Sequence, residues 1–457
     1  MMRLLPLRFI ALGACLWLCW PLSSQALDFQ QAYDYARRYD PSWLAAQSER
    51  DAGQQEHALG RSRLLPSLSY RYSHARNRSE VEQSTPLGTT TDDMRYTSYT
   101  SAITLTQPLL DAAAFAQYQA GKARANAAEA TLERAYQALA VRVLQAYTDV
   151  LYAEDDIALA EAHLRSLQEE SEKSAYFMAH GEGTRTDQLE IAAQSRLVEA
   201  RLIEAEDRLQ DAHNALSLLM GSRPASPLTP LSTVAWGSAL ASSQEVADIS
   251  LAEWQALALA HNPELAAQRS ALEAARHHVQ AQNAGHLPTV QLYARSQLSD
   301  SSAENTIGQR YDTDSIGVEV SLPLYSGGRV VAASRQADST YEQLRHELDA
   351  ATADILNDVE RQYRLVRSSQ RREEAYRQSV EAAALRVEAT QRSLQGGERT
   401  HLDVLDAERE RFEALRDLAR ARYDYLVAWL SLRWQAGRLD DADIQQIAYY
   451  FSDAFHD

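Results

Sequence analysis

The sequence predicts a mainly α-helical protein with a transmembrane β part, built from one helix-strand-strand-helix-helix unit used twice. Three observations carry this reading. The stretch "YDPSWLAAQS" (39–48) returns as "HNPELAAQRS" (261–270). Two-residue apolar alternation interrupts helical periodicity at the same place in both copies. Each copy also contains a helical run of about 66 residues, several times the usual globular length.

The chain opens with Arg3 and Arg8, an apolar run from Phe9 to Leu22, and the small residues Ser24-Gln25-Ala26. That is the anatomy of a secretory signal over 1–26, too short for a comfortable membrane span. "LGAC" (12–15) resembles a lipoprotein box that would acylate Cys15. The short apolar stretch before it and the hydrophobic "LWLCW" after it favour cleavage at Ala26 instead. Both cysteines, Cys15 and Cys19, then leave with the signal, which excludes disulfides, zinc-cysteine sites and a cysteine nucleophile. Removing two of the 45 basic residues leaves 43 against 63 acidic ones, a net charge of −20. Such a surface disfavours nucleic acid.

The first copy spans 27–221 and the second 249–437, joined by a linker at 222–248 and followed by a tail at 438–457. At an offset of 222, Pro41 falls on Pro263, Leu65 on Leu287 and Pro66 on Pro288. At 215, Pro108 falls on Pro323; at 216, Asp187 falls on Asp403 and Gly221 on Gly437. In each copy a moderate helix runs between two prolines, about 41–65 and 263–287. Strands are expected at about 67–80, 96–107, 289–299 and 314–323, with polar loops within each pair. The clearest alternates Ile316, Val318, Val320 and Leu322 with Gly317, Glu319, Ser321 and Pro323.

The long helices are expected at about 111–176 and 327–394. Leu132, Tyr136, Leu139, Val143, Ala146, Val150, Ala153, Ile157, Ala160, Leu164 and Leu167 follow a four-three spacing, a coiled-coil seam. Gly181, Gly183, Gly396 and Gly397 mark the tips, and return helices run to Gly221 and Gly437. A 66-residue helix spans roughly 100 Å, and the two shorter helices stacked end to end reach roughly 93 Å. The linker and tail therefore fall partway along a rod, in an equatorial position.

Four amphipathic strands cannot close a barrel, and a lipid-exposed sheet must close. The chain is thus expected to oligomerise; a homotrimer would pool twelve strands to close a barrel and bring twelve helical columns together into a long tube.

At this point the sequence resembles the TolC family of outer-membrane channel proteins. The likeness covers the chain after the signal and rests on the duplicated "NPEL"-type starts, the "QPL" and "LPLYSGG" junctions, and "GGERTHLDVLDAERER". It implies a trimer with a twelve-stranded outer-membrane β-barrel on a long periplasmic α-helical barrel, an exit duct working with a periplasmic adaptor (membrane fusion protein) and an inner-membrane pump. "TQPLLDAAAFAQY" (106–118) and the first tip point to the type I secretion branch with an ABC exporter. Multidrug efflux is the alternative. By motif, Asp403 and Asp406 match a ring of gate carboxylates, Arg399 the arginine of a closing latch, and Thr186 and Asp187 its partners. Leu394 stands where the family often has a tyrosine, which weakens one link of that latch.

Simpler readings stand beside these. From the residues alone, Asp403 and Asp406 are acids favoured by the dipole at a helix start, and Arg399 a solvated tip residue. Tyr70, Tyr72, Tyr96 and Tyr99 form either an aromatic girdle or ordinary strand packing. His277 and His278 point to different helix faces, against a metal site. "GEGT" (181–184) lacks the lysine of a phosphate-binding loop. No cofactor and no enzyme chemistry are expected. A soluble periplasmic coiled-coil adaptor or scaffold would share the helical hairpins but has no use for four matched amphipathic strands.

Overall fold

The computed structural model describes residues 26–452, apart from 87, 181–183, 225, 233–234, 238–248, 305–306 and 397. Cys15 and nearly all of the expected signal lie outside the described residues. Each copy opens with two helices where the sequence pattern suggests one. In the first, α1 (Phe29–Tyr39) and α2 (Pro41–Ser62) are parted by Asp40. Proline pushes the residue before it out of the helical region, and Asp40 sits extended with ψ 116°. Its carboxylate then caps the new helix, accepting from the Trp43 amide at 3.1 Å. The proline reads in sequence as a helix start; it is equally a break in a chain already helical, with Phe29, Ala32, Tyr33 and Ala36 all buried.

Two strands and two long helices complete the first copy: β1 (Ser67–Thr85), β2 (Gly88–Leu110), α3 (Ala112–Ala179) and α4 (Arg185–Met220). The second repeats the order. It comprises α5 (Leu251–His261), α6 (Pro263–Asn283), β3 (Thr289–Glu304), β4 (Ile307–Ser321), α7 (Arg329–Gln395) and α8 (His401–Gln435). A last helix, α9 (Asp441–Tyr450), follows. Asn262 repeats the role of Asp40, accepting from the Glu264 amide at 2.9 Å while donating to Gln435 O at 2.8 Å. The echoed motif is therefore a capped helix break, and both breaks are docked: Arg142 donates to Asp40 Oδ2 at 2.5 Å.

The 68 residues of α3 span roughly 100 Å. α2 packs on one half, where Arg124 meets Glu56 at 2.9 Å, and α4 on the other, where Arg208 meets Asp156 at 2.7 Å. Between these halves lies the main core. Leu139, Val143 and Val150 of the seam are buried there with Tyr147 and Leu151. Phe29 of α1, Trp254 of α5, Trp429 of α8 and Ile447 of α9 close around them, with Phe451 just beyond α9. The Tyr147 hydroxyl lies 2.9 Å from the carbonyls of both Leu27 and Thr229, and Leu27 bridges Leu228. Linker residues and the last helix thus wrap the middle of the rod.

The four strands form one antiparallel sheet in the order β1-β2-β3-β4. Pairing places Leu68, Leu105, Ala294 and Ile316 in a single row, with Tyr70 and Ile103 beside it on the same face. Leu68 is 72% exposed and Ile316 78%, so none of the described residues covers this apolar face. The opposite face carries Ser69, Thr104, Arg295 and Ser315 in the matching row. Tyr72 and Tyr99 share the apolar face, their rings 6.4 Å apart. Tyr96 pairs with Asn77 on the other face and does not join them.

The strand bounds differ from those expected. β1 and β2 stay paired out to Thr85 and Gly88, and β3 and β4 out to Glu304 and Ile307, through segments the sequence suggests are loops. There both faces are polar, so the two-residue alternation vanishes while the backbone ladder continues. At the other end β4 stops at Ser321, not 323, because Pro323 has no amide to donate. β1 and β4 are open edges. No helix among the described residues is long and apolar enough to cross a membrane.

Candidate functional site at the paired hairpin tips

At one end of the rod α3 turns into α4 and α7 turns into α8. Both return helices start with the same local grammar. Thr184 Oγ1 accepts from the Asp187 amide at 3.2 Å, and Asp187 Oδ2 accepts from the Thr184 amide at 3.3 Å. Thr400 and Asp403 repeat this, with 3.4 Å and 2.9 Å. These reciprocal caps satisfy amides that a helix start leaves unpaired.

Asp403 is therefore a capping residue first. It is also 3.3 Å from Arg399, one turn before it. The Thr400 amide, then the Thr400 hydroxyl and Arg399, hold the Asp403 carboxyl below the usual carboxylate range, so it is ionised at neutral pH. Asp406 pairs with Arg409 at 3.1 Å. Spaced by three, Asp403 and Asp406 share one face of α8 and both remain partly exposed. On the other hairpin Asp187 is held by Thr184, and Thr186 is exposed. Among the described residues, Arg399 is brought to Asp403 and not to Thr186 or Asp187 within one chain. Gly396 ends α7, its amide donating to Arg392 O at 3.2 Å, and Leu394 is half-buried. Gly181, Gly183 and Gly397 lie outside the described residues.

What holds the two hairpins together was not legible in the motifs. Leu167 of α3, Ile191 and Val198 of α4 and Leu405 of α8 form a small separate core near the tips. One turn further out, Glu170 on α3 hydrogen-bonds His401, the first residue of α8. The His401 ring also packs 5.7 Å from that of Phe177. Higher up, His163 stacks on Phe412 at 4.7 Å; burial, then Arg201 and Arg409, lower its pKa to about 4, so the imidazole is neutral. Only the periodic apolar positions hinted at this seam, and they name no partner across 231 residues.

The arrangement offers fixed charge and a mechanical joint. Among the described residues no cluster of three or more His, Cys, Asp or Glu is placed to hold a metal ion. His277 engages Gln280, and His278 approaches Gln282.

A model of the family described as outer membrane efflux protein matches residues 32–222 and 254–438. The chain is 41% identical to the alkaline protease secretion protein AprF of Pseudomonas aeruginosa, over 93% of this chain and 88% of that one. It is 39% identical to the proteases secretion protein PrtF of Dickeya chrysanthemi, over 94% and 93%. Among solved structures, the outer membrane protein VceC from Vibrio cholerae superposes with a TM-score of 0.75. That match covers 90% of this chain and 96% of that one at 20% identity, a likeness of fold.

Proposed function

The chain belongs to the outer membrane efflux protein family, and from that membership we propose that it is the outer-membrane exit duct of a type I protein secretion system. It works as a homotrimer with a periplasmic adaptor and an inner-membrane ABC exporter. The observation that carries this reading is the 41% and 39% identity, over nearly the whole chain, to two proteins named for protease secretion. The sheet supports the trimer. Its two open edges, β1 and β4, have no partner among the described residues, and lipid tolerates no unpaired edge. Joining β4 of one copy to β1 of the next three times over gives twelve strands, and the uncovered apolar row then faces lipid. The duct is a passage and carries out no catalysis.

The test is secretion. Deleting the gene in a host that exports a protease through an ABC exporter is expected to abolish extracellular protease and leave drug susceptibility unchanged. Intact secretion with raised drug susceptibility would overturn the reading in favour of multidrug efflux.

Asp403 and Asp406 of three chains ring the periplasmic opening in this reading, and Arg399, with Thr186 and Asp187 of the other hairpin, closes it. Six carboxyl groups around a narrow mouth concentrate cations. Replacing both aspartates by alanine is expected to lower the cation-over-anion preference severalfold in planar bilayers. An unaltered reversal potential in a salt gradient would remove them from the opening.

A further inference from the structure

The sheet carries a second feature past its apolar face. The β1–β2 turn lies at the end of the sheet far from the helices, because α2 leads into β1 and β2 leads into α3. Toward that turn, the rows on the apolar face run Tyr72 with Ser101, His74 with Tyr99, Arg76 with Thr97 and Arg78 with Arg95. Arg76 thus follows one row after Tyr99, a step of roughly 7 Å along the strands. Arg76, Arg78 and Arg95 line an open groove of about 370 Å³ together with Thr97 and Ser302.

Charge in this groove is unbalanced. Arg78 stands directly opposite Arg95, an arrangement that weakens a strand pair unless something neutralises it. Asp93, one row further out and opposite Glu80, pairs with Arg78 at 2.9 Å. On the inner side Asp300 stands opposite Arg310. Among the described residues no ion pair joins Arg76 or Arg95 to an acid. Ser302 Oγ accepts from the Thr97 amide at 3.0 Å and lies 3.3 Å from Thr97 Oγ1, so one hydroxyl hydrogen stays available to a ligand.

We propose that this groove binds a phosphate group of an outer-leaflet lipid. The proposal rests on the membrane reading of the sheet. With the helices in the periplasm the β1–β2 turn points out of the cell, and a groove just past an apolar band edged by tyrosines lies at headgroup depth. The guanidinium fork matches phosphate oxygens, and here it is offered from two strands at once. A phosphate beside Arg78 and Arg95 also relieves their mutual repulsion. Three subunits carry three such grooves on the outside of the barrel, away from the passage, so the lipid fastens the barrel and is not cargo.

The test reads thermal dissociation of the purified, delipidated trimer with three additives at equal concentration: diphosphoryl lipid A, the same lipid stripped of both phosphates, and inorganic phosphate. Diphosphoryl lipid A is expected to raise the dissociation temperature, and the other two to leave it unchanged. Arg76→Gln with Arg95→Gln, which spares the Arg78–Asp93 pair, is expected to need roughly tenfold more diphosphoryl lipid A for the same shift. Arg76→Lys with Arg95→Lys keeps the charge, guards against loss of assembly, and is expected to fall between that variant and the parent. Arg71→Gln, on the opposite face and paired with Ala102, is expected to match the parent. An equal shift with inorganic phosphate overturns the lipid in favour of a simple anion site. An unchanged demand for lipid in the glutamine variant overturns the groove; if that variant also dissociates earlier without lipid, the arginines serve a carboxylate on β4 of the next subunit instead. If the parent gives no trimer from outer-membrane extracts, the barrel reading fails and this proposal with it.

Discussion

Replacing Ile316 by arginine is expected to remove the protein from the outer membrane. Ile316 lies in the row Leu68, Leu105, Ala294, Ile316, near the middle of the apolar face. Above it come Tyr70 with Ile103 and then Tyr72; below it come Leu292 with Val318 and Val290 with Val320. An arginine on the lipid face near the bilayer midplane costs about 2–4 kcal/mol, so three copies cost roughly 6–12 kcal/mol per trimer. That rivals the whole stability of many folded domains, about 5–15 kcal/mol. The measurement is the heat-labile trimer band from outer-membrane extracts, which should fall at least tenfold. Thr313→Arg, one face over and paired with Gln297, is the control and should leave the band intact. Equal bands for Ile316→Arg and the parent would mean that this face does not meet lipid.

Gly437→Ala is expected to damage the equator more than any other single-methyl change described here. Gly437 has φ +66°, a conformation that costs an L-residue about 1–2 kcal/mol. Space is worse than conformation: a Cβ there would lie 2.4 Å from His261 O and 2.6 Å from the Asn262 amide nitrogen. That backbone cannot yield easily, because Asn262 is tied to Gln435 O and caps α6. Overlap of this kind adds about 1–3 kcal/mol, for a total near 2–5 kcal/mol. Its counterpart in the first copy, Gly221, has φ +73°, but a Cβ there meets the Tyr39 side chain at 2.7 Å. That atom is Tyr39 Cβ, which the end of α1 holds in place, so Gly221→Ala meets overlap as well as backbone strain, but against one side-chain carbon rather than three backbone atoms within 2.6 Å. Thermal dissociation of the trimer should therefore fall further for Gly437→Ala than for Gly221→Ala, by several degrees. Coincident melting of the two variants would contradict the geometry.

The two glycines show how the fold was written in the sequence. Their matched positions, 216 apart, were visible as part of the repeat, and so was the helix end each one marks. What each glycine leaves room for was not visible, because His261 and Tyr39 come from different elements folded back against them. The aspartates behave the same way. That Asp187 and Asp403 open helices was readable from Thr-x-x-Asp, since a cap acts within one turn. That Arg399 pairs with Asp403 and not with Asp187 in one chain was decided by local geometry the motif does not specify. Glu170 carried no signal at all; an acid near the end of a long helix looks solvated until α8 is laid across it.

By itself the sequence determined the duplication, the change from helical to two-residue periodicity, the capped ends and the apolar face of each element. These depend on spacings of two to four residues, which the backbone imposes wherever the segment goes. Only the tertiary structure decided which faces meet: α3 with α8 at the tips, linker and last helix around Tyr147, strands paired beyond the reach of their alternation. Such contacts join residues hundreds apart, and a periodic pattern says that a face must be covered without saying by what.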